Sequence, residues 1–250
     1  MQPPSPTRQK IDRVLHSKLL LDASSSLSDV YTLINQLSND VLDLYPHIAC
    51  RTQCNTCCKG TSMPVATPAE WAILHDYLLR YWSQEQREAM IERVQALFAT
   101  HAETLWAVHD TIQQEADMGK VETFARVLPQ LADTQCPFLV DEKCGAYAGR
   151  PAKCRAHGAF LFLFQEHVQL HACQSEVDKI EVFMQKQGTR KVVMPIWNHF
   201  EEKIVRTFNA PGATSTILAV WVYSHLKDGQ LSEEANLNPD FQALRQPLAT

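Results

Sequence analysis

The chain contains no P-loop, no G-x-G-x-x-G, no H-E-x-x-H and no G-x-S-x-G. Those absences remove nucleotide-phosphate, dinucleotide, zincin and serine-hydrolase readings in their usual forms, but not an enzyme built on other groups. No apolar run approaches the roughly 18 residues that a bilayer span requires. The N-terminus lacks the order of a signal peptide, because its one apolar run, residues 19–21, is too short for an h-region. The expected compartment is therefore the cytoplasm, where disulfides are disfavoured. No Gly/Ser-rich or single-sign charged linker interrupts the chain, so one domain is expected over 25–230, after an arm and short helix over 1–24 and before a tail over 231–250. The net charge of -5 argues against bulk nucleic-acid binding. The partner, whether protein or small molecule, is not readable.

Cysteine is also missing from 59–135, and that gap divides the eight that are present. Four lie within nine residues: Cys50, Cys54, Cys57 and Cys58. The others are Cys136, Cys144, Cys154 and Cys173. In a reducing compartment such thiols read as metal ligands or redox groups. Thiolate is a soft donor that selects zinc, copper(I) or iron–sulfur clusters, and four of them complete a tetrahedral zinc site or a [4Fe–4S] cluster. Cys50, Cys54 and Cys57 have C-x3-C-x2-C spacing, which lets one loop wrap a centre. Cys58 adjoins Cys57, so their side chains diverge. Adjacent cysteines mean two centres, or one ligand and one bystander. Buried thiols acting as small hydrophobes are the plain alternative for any single position. That alternative suits the first stretch poorly, since its neighbours are Arg51, Gln53, Asn55 and Lys59.

Helical spacing dominates the rest. Leu27, Val30, Tyr31, Ile34, Leu37, Val41 and Leu44 recur at three- and four-residue steps, predicting a helix over 25–44 that Pro46 stops. A shorter helix is predicted over 11–21, after a loose arm over 1–9. Thr67-Pro68-Ala69-Glu70 and Ser83-Gln84-Glu85-Gln86 are capping signatures that start helices to about 82 and 117, the second with a break near Thr100 and an end at Gly119. Further helices are expected over 121–128, 175–186, 195–208 and 213–226. The apolar stretches on either side of Gln165-Glu166-His167 predict a β-hairpin. The expected fold is mainly α, a helical domain with two Cys-rich loops and one small β-hairpin. The five tryptophans, Trp71, Trp82, Trp106, Trp197 and Trp221, fall on helix faces and read as core.

The order C-x3-C-x2-C-C, a T-P-x-E helix start, then C-P-F-L-x4-C-x2-Y-x2-R-P-x2-C-R resembles the zinc- or iron-chelating cysteine-cluster family, the YkgJ-like proteins. Cys50, Cys54, Cys57, Cys58, Cys136, Pro137, Phe138, Leu139, Cys144, Tyr147, Arg150, Pro151, Cys154 and Arg155 carry the resemblance. It implies that all eight cysteines, Cys173 included, chelate zinc or iron. It also implies a link to iron–sulfur oxidoreductases. The flagellin lysine-N-methylases are similar through the same cysteine pattern, which implies S-adenosylmethionine as a co-substrate. Radical S-adenosylmethionine enzymes share the C-x3-C-x2-C spacing, but their parallel βα barrel requires a strand–helix alternation that is missing here, and glycine is scarce at 8 residues.

Arg150 and Arg155 flank Cys154 and are candidates to balance the charge of a thiolate-bound cofactor. The alternative is that Arg150 pairs with Asp141 or Glu142. Tyr147 reads as packing. His157 and His171 are candidate replacements for a cysteine ligand, with a structural role as the plainer reading. Three functions follow. The preferred one is an iron–sulfur protein supporting redox or S-adenosylmethionine-linked group transfer. The others are a structural zinc protein that binds a partner, and a thiol redox sensor or metal chaperone using Cys57 and Cys58 as an exchange pair.

Overall fold

The computed structural model describes residues 5–48, 50, 55–59, 64–114, 117–164, 166–188 and 191–245. Helices α1 (Pro6–Leu15), α2 (Ser17–Asp22) and α3 (Leu27–Leu44) precede the first cysteine stretch. After it come β1 (Val65–Ala66), α4 (Pro68–Tyr81), α5 (Gln84–Ile112) and α6 (Asp117–Val127). The second cysteine motif carries β2 (Leu139–Val140), β3 (Lys143–Cys144) and α7 (Ala152–Ala156). Then follow β4 (Leu161–Phe164), β5 (His167–Leu170), α8 (Gln174–Gln187), α9 (Trp197–Phe208), β6 (Thr216–Ile217), α10 (Leu218–Tyr223), β7 (Leu226–Lys227) and β8 (Gln230–Leu231). The protein is mainly α with small two-stranded antiparallel sheets. Contacts divide the chain into two units, Met1–Cys57 with Ala152–Phe208, and Cys58–Pro151 with Asn209–Thr250.

In the first unit, α3 is the central element. Ser26 caps it, with Asp29 closing the reciprocal bond of a capping box. Its stripe Val30, Ile34, Leu37 and Val41 is fully buried. Helix α1 packs along it through Val14 and a bidentate pair in which Arg13 Nε and Nη2 each lie 2.7 Å from Asp40. The chain is helical from Pro6, not a loose arm to residue 9, because Ser5 caps the Arg8 amide and Pro6 sits in the first turn where its missing N–H costs nothing. The single helix expected over 11–21 is broken at His16 (φ -99°, ψ 15°) into α1 and α2. Lys203 of α9 donates to the Leu21 and Asp22 carbonyls at 2.7 and 3.1 Å and so caps α2. The expected hairpin is β4–β5, closing on a Phe164↔His167 pair. The Asn198 side chain accepts from the Leu163 amide and donates to its carbonyl, finishing the open edge of β4.

The second unit is built on α4, α5 and α10. Trp71, Leu74, Leu78, Met90, Val94, Leu105 and Trp221 form its centre, all fully buried. Both capping boxes form as expected, at Thr67 and Ser83. Helix α5 kinks at His101 (φ -129°, ψ 22°), beside the predicted break. Gly119 lies inside α6 and does not end a helix. The helix expected over 213–226 is only α10, because residues 216–217 form β6 and pair with β1. That pairing joins segments about 150 residues apart, which local periodicity cannot reveal. Trp221 Nε1 donates to the Ala66 carbonyl at 2.9 Å beside it. The segment from 231, expected as an extended tail, is packed: Leu231 and Phe241 are buried, and His225 Nε2 accepts the Asn236 amide at 2.9 Å. Within 231–245 its large apolar residues, Leu231, Leu237, Phe241 and Leu244, are too sparse to read as a helical face.

Candidate metal centre

The two cysteine motifs do not coincide with the two units of the chain. The boundary between the units falls between Cys57 and Cys58. Cys50 and Cys57 therefore belong to the unit of Cys154 and Cys173, while Cys58 belongs to that of Cys136 and Cys144. Each unit draws thiols from both motifs.

In the first unit, Cys50 lies against Gly158, where an added Cβ would fall on the Cys50 Cβ and Sγ. Gly158 has a φ of +84°, which L side chains rarely adopt. Its amide donates to the His171 carbonyl at 2.6 Å. Two residues further on, Cys173 is the N-cap of α8, and its carbonyl accepts the Glu176 and Val177 amides at 3.0 and 3.2 Å. Cys154 lies on α7, four residues before Gly158. Glu176 is buried in the first turn of α8 and accepts from Lys179 Nζ at 2.6 Å. That hydrogen bond holds the Lys179 ammonium above its ordinary pKa, and the charges of Cys173 and Cys50 act on it in the same direction.

In the second unit the Cys136 amide donates to the Cys58 carbonyl at 2.7 Å, and the adjoining Lys59 and Gln135 form an antiparallel bridge. Cys144 stands in β3 opposite Leu139, whose amide donates to the Cys136 carbonyl at 3.0 Å. Backbone hydrogen bonds thus tie the Cys58, Cys136 and Cys144 segments together. Lys59 is ion-paired with Glu142 at the tip of the β2–β3 turn. Arg93 of α5 directs Nε and Nη2 at the Pro137 carbonyl, 3.1 and 2.8 Å away. Burial lowers the Arg93 pKa and the nearby Cys136 partly offsets that shift.

The two arginines beside Cys154 make aromatic and polar contacts. Arg155 is buried against α3, with Nη1 donating to Asn35 Oδ1 at 3.3 Å and the guanidinium 4.4 Å over the Tyr31 ring. Its own carbonyl accepts from Ser38 Oγ at 3.0 Å. Arg150 stacks on Tyr147 at 3.8 Å. His171 Nε2 lies 3.2 Å from the Lys153 carbonyl, and the His157 ring stands edge-on to it at 5.0 Å. Burial pushes the His171 pKa down to about 3, with the His157 and Lys153 charges adding to the shift.

Within the second motif Cys144 stands in β3, Cys154 in the short α7 just after Pro151, and Cys173 at the N-cap of α8. Sequence reasoning passed over Gly158, Glu176, Lys179 and Arg93. A glycine shortly after C-R-A-H was the one available signal; Lys179 and Arg93 look like any other helical surface charge.

A soft metal or cluster fits these residues in donor chemistry, since the thiols are sulfur donors, and Gly158 leaves space that the Cys50 side chain takes up. Among the described residues no three Cys, His, Asp or Glu side chains already share a ligating point, and Cys54 lies outside them. Fold and site together define a mainly α protein that collects thiols from two separated motifs. The chain belongs to the CxxCxxCC family, described as "Putative zinc- or iron-chelating domain", whose sequence model matches residues 49–175, just over half of its length. Neither a curated protein nor a solved structure gives a match.

Proposed function

We propose that the protein is a metal chelator whose cysteines hold an iron–sulfur cluster in preference to zinc, in support of redox or S-adenosylmethionine-linked group transfer. The observation that carries this reading is the sulfur character of the gathered donors. Cys50 packs on Gly158, whose amide is bonded to the His171 carbonyl two residues before Cys173, while the His171 ring is desolvated and faces a backbone carbonyl. The C-x3-C-x2-C spacing of Cys50, Cys54 and Cys57 points the same way. When bound, such a cluster supplies one-electron transfer or an iron atom open to a small ligand. The chain supplies the thiolates, their burial and their charge balance. We assign Cys50, Cys54, Cys57, Cys154 and Cys173 to one group of ligands, and Cys58, Cys136 and Cys144 to a second.

Zinc is the second reading, favoured for the second group because Cys136 is only 7% exposed within the apolar core. Buried thiolates in a closed structural site suit zinc and a partner-binding role. Anaerobic preparation distinguishes the metals. Iron and acid-labile sulfide in matching amounts, with broad visible absorption, are expected. Colourless protein with stoichiometric zinc overturns the iron–sulfur reading. The grouping is tested with Cys50→Ser and Cys136→Ser: each should remove part of the metal, and the double variant should remove more than either. Complete loss in each single variant would make the thiols one centre.

A further inference from the structure

We infer that Lys179 is a positioning residue for metal bound at Cys50 and Cys173: held by the buried Glu176, its ammonium supplies the counter-charge for these two thiolates. This rests on the reading that both cysteines hold metal. Geometry carries the argument. Cys50 packs on Gly158, the Gly158 amide is bonded to the His171 carbonyl, and His171 leads through Ala172 into Cys173 at the start of α8. In the first turn of α8 the Glu176 amide is bonded to the Cys173 carbonyl at 3.0 Å, and the Glu176 carboxylate holds Lys179 Nζ at 2.6 Å, so two hydrogen bonds link the ammonium to the Cys173 backbone. The Glu176 side chain is 3% exposed and that of Lys179 45%. A solvated ion pair drifts among geometries, whereas this carboxylate is fixed, so its cation is held 2.6 Å away. The influence of both thiols on Lys179 agrees with that placement.

Two other cations of the unit have different contacts. Arg155 lies on Tyr31 and Asn35, and Lys153 Nζ is 3.9 Å from Glu201. A thiolate-rich centre carries excess negative charge, which favours loss of metal to acid or chelator. A fixed ammonium beside it opposes that loss.

The test uses the full chain loaded with its metal and follows release to a chelator, ferrous or zinc-selective according to the metal found. Lys179→Gln should release metal at least about tenfold faster, the scale seen when groups supporting a ligand shell are removed. Lys179→Arg should restore retention, and raised salt should narrow the gap between Lys179→Gln and wild type. Because Lys179→Gln leaves Glu176 buried without its cation, the Glu176→Gln/Lys179→Gln variant is measured beside it. Fast release from this double variant with an unchanged unfolding midpoint supports the role. Wild-type retention in the double variant overturns it, provided Cys50→Ser lowers the metal load. If Cys50→Ser and Cys173→Ser both leave the load unchanged, the ligand assignment itself fails and the inference falls with it.

Discussion

A methyl group added at Gly158 would collide with the side chain of Cys50, and the φ of +84° adds backbone strain for any L residue. Gly158→Ala should therefore destabilise the protein by about 2–4 kcal/mol, combining strain and overpacking, and should increase alkylation of Cys50. Urea unfolding with mass mapping of the modified thiol checks both; wild-type stability would mean that the loop relaxes at no cost. Arg155 makes the opposite point. It sits next to Cys154 in sequence, yet its planar guanidinium is used on Tyr31 and Asn35. Arg155→Lys should cost about 1–2 kcal/mol of stability, since lysine cannot reproduce a stacked, directional contact. Metal content per folded protein should stay unchanged; a fall would return Arg155 to the centre.

Among the elements, the β2–β3 hairpin is the least expected. Asp141 and Glu142 have φ of 47° and 62°, the two left-handed residues of a type I′ turn. Aspartate tolerates that region, but glutamate does so poorly, and the exposed Lys59 pair offsets less than about 1 kcal/mol. Replacing the pair by Asn-Gly should stabilise the protein by about 1 kcal/mol, read as a higher denaturant midpoint at constant slope. An unchanged midpoint would show that the Lys59 contact outweighs the strain. The long helices were legible because period and caps agree: α3, α4, α5, α8 and α9 follow the apolar spacing or the capping signatures. The short α10 was overestimated because residues 216–217 are held by β1, a partner remote in sequence.

For the molecule as a whole, pH acts through buried imidazoles. His225 Nε2 faces two donors, Trp71 Nε1 at 3.0 Å and the Asn236 amide at 2.9 Å, so it must be unprotonated. Its proton is therefore on Nδ1, 2.8 Å from the Trp221 carbonyl. Burial pushes its pKa down to about 4 from an ordinary 6.5. Between those values the unfolded chain binds a proton that the folded one does not, so stability falls as pH drops through this window. The loss is on the order of 2–3 kcal/mol, with buried His75 and His109 shifted the same way. His225→Gln should flatten the slope of unfolding free energy between pH 7 and pH 4.5 relative to wild type; parallel slopes would remove His225 as the cause.

Sequence alone determined the helical class, the capping-box starts of α4 and α5, the β4–β5 hairpin and the thiol chemistry, because these depend on residue type and short-range period. Tertiary structure alone decided how the chain divides into units. The chain passes from one unit to the other between Cys57 and Cys58 without a linker, since both units are discontinuous in sequence. It also decided which groups the cations meet: contacts depend on distance in space, so Arg155 lies on Tyr31 and Asn35, Lys179 on Glu176 and Arg93 on the Pro137 carbonyl, none of which sequence adjacency reveals.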